Sequence, residues 1–73
     1  VQLDSLSTGA VVRVRAISAD APIALRLREM GLRPGTRIRL AGRAASGARV
    51  VAISGARIAV DRQTSALIEV EPA

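Results

Sequence analysis

Asp20 to Leu40 reads DAPIALRLREMGLRPGTRIRL, and a change of period inside this stretch decides the fold. Asp20 is placed to cap a helix by accepting a backbone N–H. Pro22 suits the first turn, where its missing donor is not needed. Ile23, Leu27 and Met30 fall at i, i+4 and i+7, one face of a helix, and are expected in the core. Gly31 follows where a left-handed residue ends a helix. Pro34 and Gly35 suit positions i+1 and i+2 of a type II turn. From Thr36 the period becomes two, with Ile38 and Leu40 on one face and Arg37 and Arg39 on the other, so a strand begins. Conformation accounts for Gly31, Pro34 and Gly35, and periodicity for Leu27 and Met30; these five form a structural motif.

Outward from this centre the pattern is all strand. Val11–Ile17 (VVRVRAI) alternates Val12, Val14 and Ala16 with outward arginines. Gly42–Gly47 (GRAASG) reads as a flexible loop. Val50–Ile53 and Arg57–Val60 flank Ser54-Gly55-Ala56 as a hairpin. Asp61–Ser65 is polar and predicts a short helical turn, and Leu67–Val70 a last strand. The order is strand, helix, then four short strands. This predicts a mainly β domain: a small SH3-like five-stranded barrel with one short α-helix between strands 1 and 2.

The chain has 73 residues, enough for one domain over residues 1–73. It lacks Cys, His, Trp, Tyr and Phe, so the core is aliphatic and no disulfide staples it. So small a core would gain from a partner surface or a second copy of the chain. No apolar run reaches the roughly 18 residues of a membrane span. No signal peptide is visible, and the opening Val1 fits a chain that begins inside a longer protein. An intracellular, soluble protein is the expectation. All eleven basic residues are arginine, and the net charge is +5. Two readings stand: attraction to phosphate or an acidic partner, and a GC-rich gene, which would also explain fourteen alanines.

The chemistry of sites points away from catalysis. Without His or Cys there is no usual base or thiol nucleophile, and no Walker-type glycine loop occurs. Ferrous iron favours imidazole and carboxylate ligands. Here only Asp4, Asp20, Glu29, Asp61, Glu69 and Glu71 are available, and they are scattered along the chain. No metal site, cofactor or catalytic residue is assigned, and ferrous binding tighter than millimolar is not expected. A basic β-barrel could bind nucleic acid, but single-strand binding stacks bases on aromatic rings that this chain lacks.

Leu25 lies about 200° around the helix from Ile23 and so off the core face. It is either a scattered surface leucine or an apolar anchor for a partner. Leu32, just past the helix, would extend such a patch or plug the barrel mouth.

Leu27, Met30, Gly31, Leu32, Pro34 and Gly35 fall on the pattern L-x-x-L/M-G-L/M-x-P-G, which resembles the signature of the FeoA family of bacterial ferrous iron uptake. Leu6 and Gly9 resemble its opening L-x-x-G. Gly47, Gly55, Ile58–Val60 and Ala66–Val70 resemble its later loop, hairpin and closing strand. The resemblance spans about residues 3–70. Ala45 and Arg49 stand where the family loop often carries prolines, which predicts a looser loop. The resemblance implies a cytoplasmic, non-enzymatic adaptor for FeoB, the membrane GTPase and ferrous iron transporter, with no insertion of its own into the bilayer. The alternative is the regulatory C-terminal domain of a DtxR-type repressor, where a related domain occurs. Leu25, Arg28, Leu32 and Arg33 are the expected partner contacts.

Overall fold

The computed structural model describes residues 1–73. Five antiparallel strands form one sheet in the order β4-β3-β2-β1-β5. They are β1 Val11–Ile17, β2 Arg37–Arg43, β3 Arg49–Ile53, β4 Ala56–Val60 and β5 Ile68–Pro72. Helix α1 (Ala21–Glu29) lies between β1 and β2, and a single helical turn, α2 (Arg62–Ser65), joins β4 to β5. The predicted order and helix position are those observed. A 3-10 turn at Leu3–Ser5 had no counterpart in the sequence pattern.

The alternating strands wrap one aliphatic core. Val12, Val14, Ile38, Val51, Ile53, Val60, Ile68 and Val70 point inward, joined by Leu3, Leu27 and Leu32. Each side chain removed from water this fully contributes about 1.5–3 kcal/mol. β4 and β5 do not pair with each other, so the barrel has a seam there. α2 spans it, and the fully buried Ser65 satisfies its hydroxyl by donating to the Val60 carbonyl at 3.3 Å. The outer edge of β5 is covered by the N-terminal residues. Gln2 bridges to Glu69, and the Val70 N–H donates to the Val1 carbonyl.

The end of α1 is built as a Schellman motif. The Leu32 N–H donates to the Leu27 carbonyl at 2.9 Å and the Gly31 N–H to the Arg28 carbonyl at 3.0 Å, with Gly31 at φ +97°. The following turn closes through the Thr36 N–H and the Arg33 carbonyl at 3.1 Å, and Gly35 takes φ +93° as a type II turn demands. Ser54 and Gly55 both have positive φ, which makes the β3–β4 hairpin a type I′ turn.

Four expectations need correction. Asp20 occupies the N-cap position of α1, but its side chain accepts no N–H. A capping side chain accepts from the second or third helical residue; the second is Pro22, which has no donor, and the Ile23 N–H is not taken by the carboxylate either. Ile23 and Met30 are not core: they are 38% and 39% exposed. Only Leu27 anchors α1 in the core, and a groove separates the flanking positions from β4 and α2. Gly42–Gly47 is not all loop. β2 runs on to Arg43 through a bulge between Leu40 and Gly42, and the Ala44 N–H donates to the Ala48 carbonyl at 2.9 Å. The last strand starts at Ile68, because the Leu67 N–H is spent on the Thr64 carbonyl.

Candidate functional site

Two grooves flank α1, one on each side of Leu27. The first, about 440 Å³, is lined by Ile17 from the end of β1, Ala24 and Arg28 from α1, and Arg33 and Pro34 from the turn after it. The helix, its left-handed exit and the Pro34-Gly35 turn reverse the chain so that residues five apart in sequence, Arg28 and Arg33, meet across one depression. Leu25 is 56% exposed. It lies about 60° around the helix from Arg28, at 100° per residue, next to Arg28 but outside the groove's lining.

Of the four expected contact residues, the structure thus brings Arg28 and Arg33 together in one groove and leaves Leu25 exposed on α1 next to Arg28. Leu32 is corrected: its side chain is fully buried. As the residue after Gly31 in the Schellman motif, it packs inward near Leu27, where the motif usually places an apolar contact. It plugs the barrel mouth and is not available to a partner.

The groove's arginines are free to bind. The one ion pair within 4 Å in the chain is Arg15–Glu69 at 3.6 Å, between β1 and β5. Arg28 and Arg33 therefore keep both forks unpaired, and a guanidinium fork matches a carboxylate or phosphate with two parallel hydrogen bonds. Ala24 and Pro34 keep the floor apolar and shallow. Such a site can grip an acidic side chain while an apolar one lies against Leu25. It holds no nucleophile and no base. No three of the chain's carboxylates come together in a group that could hold a metal ion.

The second groove, about 350 Å³, is lined mainly by Ile23, Leu27, Met30, Ala59 and Val60, with Arg26, Asp61 and Thr64 at its edge. Asp61 caps α2 by accepting the Thr64 N–H at 2.7 Å. That bond and one from the Thr64 hydroxyl hold the Asp61 carboxyl below the ordinary carboxylate range. Periodicity had assigned Ile23 and Met30 to the core, and nothing in the sequence marked them as groove residues.

Arg49, noted in the sequence only as a departure that loosens the loop, has a structural role the sequence did not show. Arg49 is buried on β3; its guanidinium donates to the Gly47 carbonyl and, at 2.9 Å, to the Asp4 carbonyl. It ties the β2–β3 loop to the N-terminal 3-10 turn. The loop without the family's prolines is thereby fastened by a side chain. An arginine among eleven gave no signal of this.

No helix is long and apolar enough to cross a membrane. The FeoA domain model matches residues 1–72. No curated protein matches the chain. Among solved structures, iron(II) transport protein A from Clostridium thermocellum superposes with a TM-score of 0.91 at 27% identity. That likeness covers all of this chain and 46% of the other, so the chain spans about half of that relative. FeoA from Chlorobium tepidum matches at a TM-score of 0.91 and 23% identity, over 99% of this chain and 70% of that one. The manganese regulator SloR shares the fold at a TM-score of 0.85 and 18% identity, over 99% of this chain and 34% of its own. With a helix-and-turn signature on an SH3-like barrel and a family match over nearly every residue, the chain belongs to the FeoA domain family, which is associated with ferrous iron transport.

Proposed function

We propose that this chain is a cytoplasmic, non-enzymatic adaptor of ferrous iron uptake. It docks on the cytoplasmic part of a FeoB-type membrane GTPase and tunes its assembly or GTP turnover. The observation that carries the reading is the groove beside α1, where the unpaired Arg28 and Arg33 flank an apolar floor, with Leu25 exposed on the same helix. Charged groups around an apolar anchor give an interface both orientation and affinity. Iron, on this reading, is the transporter's cargo and does not reside on this chain.

The test is capture of the transporter's purified cytoplasmic domain by the wild-type chain and by Leu25→Glu. Wild type retains the domain and the variant loses it. Equal capture by both removes the proposed surface, and no capture by wild type removes the adaptor reading for that domain. The likeness to SloR favours a second reading, a regulatory domain of a metal-dependent repressor. A winged helix and histidine-rich metal sites encoded upstream in the same gene would select it over the first.

A further inference from the structure

The outward face of the sheet carries a second basic surface, separate from the grooves. Register places Arg13 of β1 directly opposite Arg37 of β2. Arg39 lies two residues along β2 from Arg37, opposite Val11 on one side and Ala52 on the other. Arg57 on β4 continues that row beyond Ala52. All four arginines are exposed, and none has a carboxylate within 4 Å. Like charges directly opposite on a sheet repel and weaken the pairing, so Arg37 facing Arg13 does nothing for the β1–β2 pairing. The acid on this face is confined to β5: Glu69 is taken by Arg15, and Glu71 stands opposite Arg13 on its other side without closing to an ion pair, which leaves Arg37, Arg39 and Arg57 with no acid across from them.

We infer that this face is a docking surface for an anionic phospholipid bilayer. Three observations select that occupant. The ligand must be polyanionic, since four free guanidiniums present forks that suit phosphate oxygens. None of the four lines a groove, so there is no slot for an extended acidic peptide or an anchoring side chain. The chain has no aromatic ring on which bases would stack, and the outside of a barrel is convex, so a rigid duplex would touch it along a line. Fluid headgroups can rearrange around a convex basic face. Val11, 40% exposed among the arginines, gives that face an apolar point at its centre. Binding of this kind is additive in charge and screened by salt.

The experiment is co-sedimentation with phosphatidylglycerol–phosphatidylcholine vesicles, against pure phosphatidylcholine vesicles and a labelled DNA duplex. A face variant, Arg13→Gln with Arg37→Gln and Arg39→Gln, is compared with a control of equal charge, Arg26→Gln with Arg43→Gln and Arg62→Gln. Circular dichroism verifies the fold of each. The wild type binds the anionic vesicles alone, and added salt releases it. The face variant binds at least about tenfold more weakly, and the control loses much less. Absence of binding to anionic vesicles at low salt overturns the inference. So does an equal loss in both variants, which would reduce the effect to net charge. Tighter binding to the duplex than to the vesicles, lost in the face variant, overturns it in favour of nucleic acid.

Discussion

Truncating Leu32 to alanine removes a fully buried side chain at the point where α1 hands the chain to β2. The expected loss is about 2–5 kcal/mol in chemical denaturation, the range for a large aliphatic core residue. Leu25→Glu, on the exposed side of the same helix, should leave the unfolding free energy within about 0.5 kcal/mol of wild type. The contrast decides whether these two neighbouring leucines have separate jobs. Asp61 supplies a pH signature. Its carboxyl is held low by Thr64, so its contribution to stability is complete above the ordinary carboxylate range and fades as pH falls through the lowered folded value. Wild type should melt above Asp61→Ala at neutral pH, and thermal melts should converge as the solution is acidified. At this scale the sequence was legible wherever conformation dictates residue type, as at Gly31, Pro34 and Gly35. It was not legible where burial depends on distant elements. Ile23, Leu27 and Met30 share a helical stripe, yet only Leu27 meets the core.

Between elements, the join from α1 to β2 is where local signals and packing agree. The Schellman bonds need a left-handed residue at Gly31. Gly31→Ala should cost about 1–2 kcal/mol through backbone strain. A Cβ there would stand an ordinary 3.6 Å from the Ile53 side chain, so crowding adds little. Because Arg28 and Arg33 lie on either side of that join, the substitution should also loosen their mutual placement, and hydrogen exchange at the Leu32 N–H measures it. Strand period two named β1 and β2, and the Ser54-Gly55 turn the β3–β4 hairpin, but neither fixed the strand ends. The bulge at Leu40/Gly42 restarts the alternation and carries β2 into a stretch whose Gly, Ala and Ser read as loop. Arg49 repeats the lesson across a longer distance. Its partner carbonyls belong to Gly47 and Asp4, and no spacing rule links residues 45 apart.

For the molecule as a whole, five strands close around a dozen aliphatic side chains, and the arginines are left on the outside with few acids to meet them. The core fixes two basic surfaces on one small body: the groove beside α1 and the convex face of β1, β2 and β4. Neither includes a histidine or cysteine, and no three carboxylates come together. Calorimetry with ferrous iron should show no binding tighter than millimolar; a micromolar site would place a metal role on the chain itself. The barrel was legible in the order of short strands and one helix. The groove was half legible, since two arginines flanking a helix end and turn are visible in sequence but their meeting depends on the reversal of the chain. The central claim is that docking passes through that groove. Calorimetric titration of the transporter's cytoplasmic GTPase domain with wild type and with the double variant Arg28→Glu, Arg33→Glu tests it most directly. The account predicts saturable binding by wild type and a loss of at least about tenfold in the variant; equal affinities, or no binding by wild type, would contradict it.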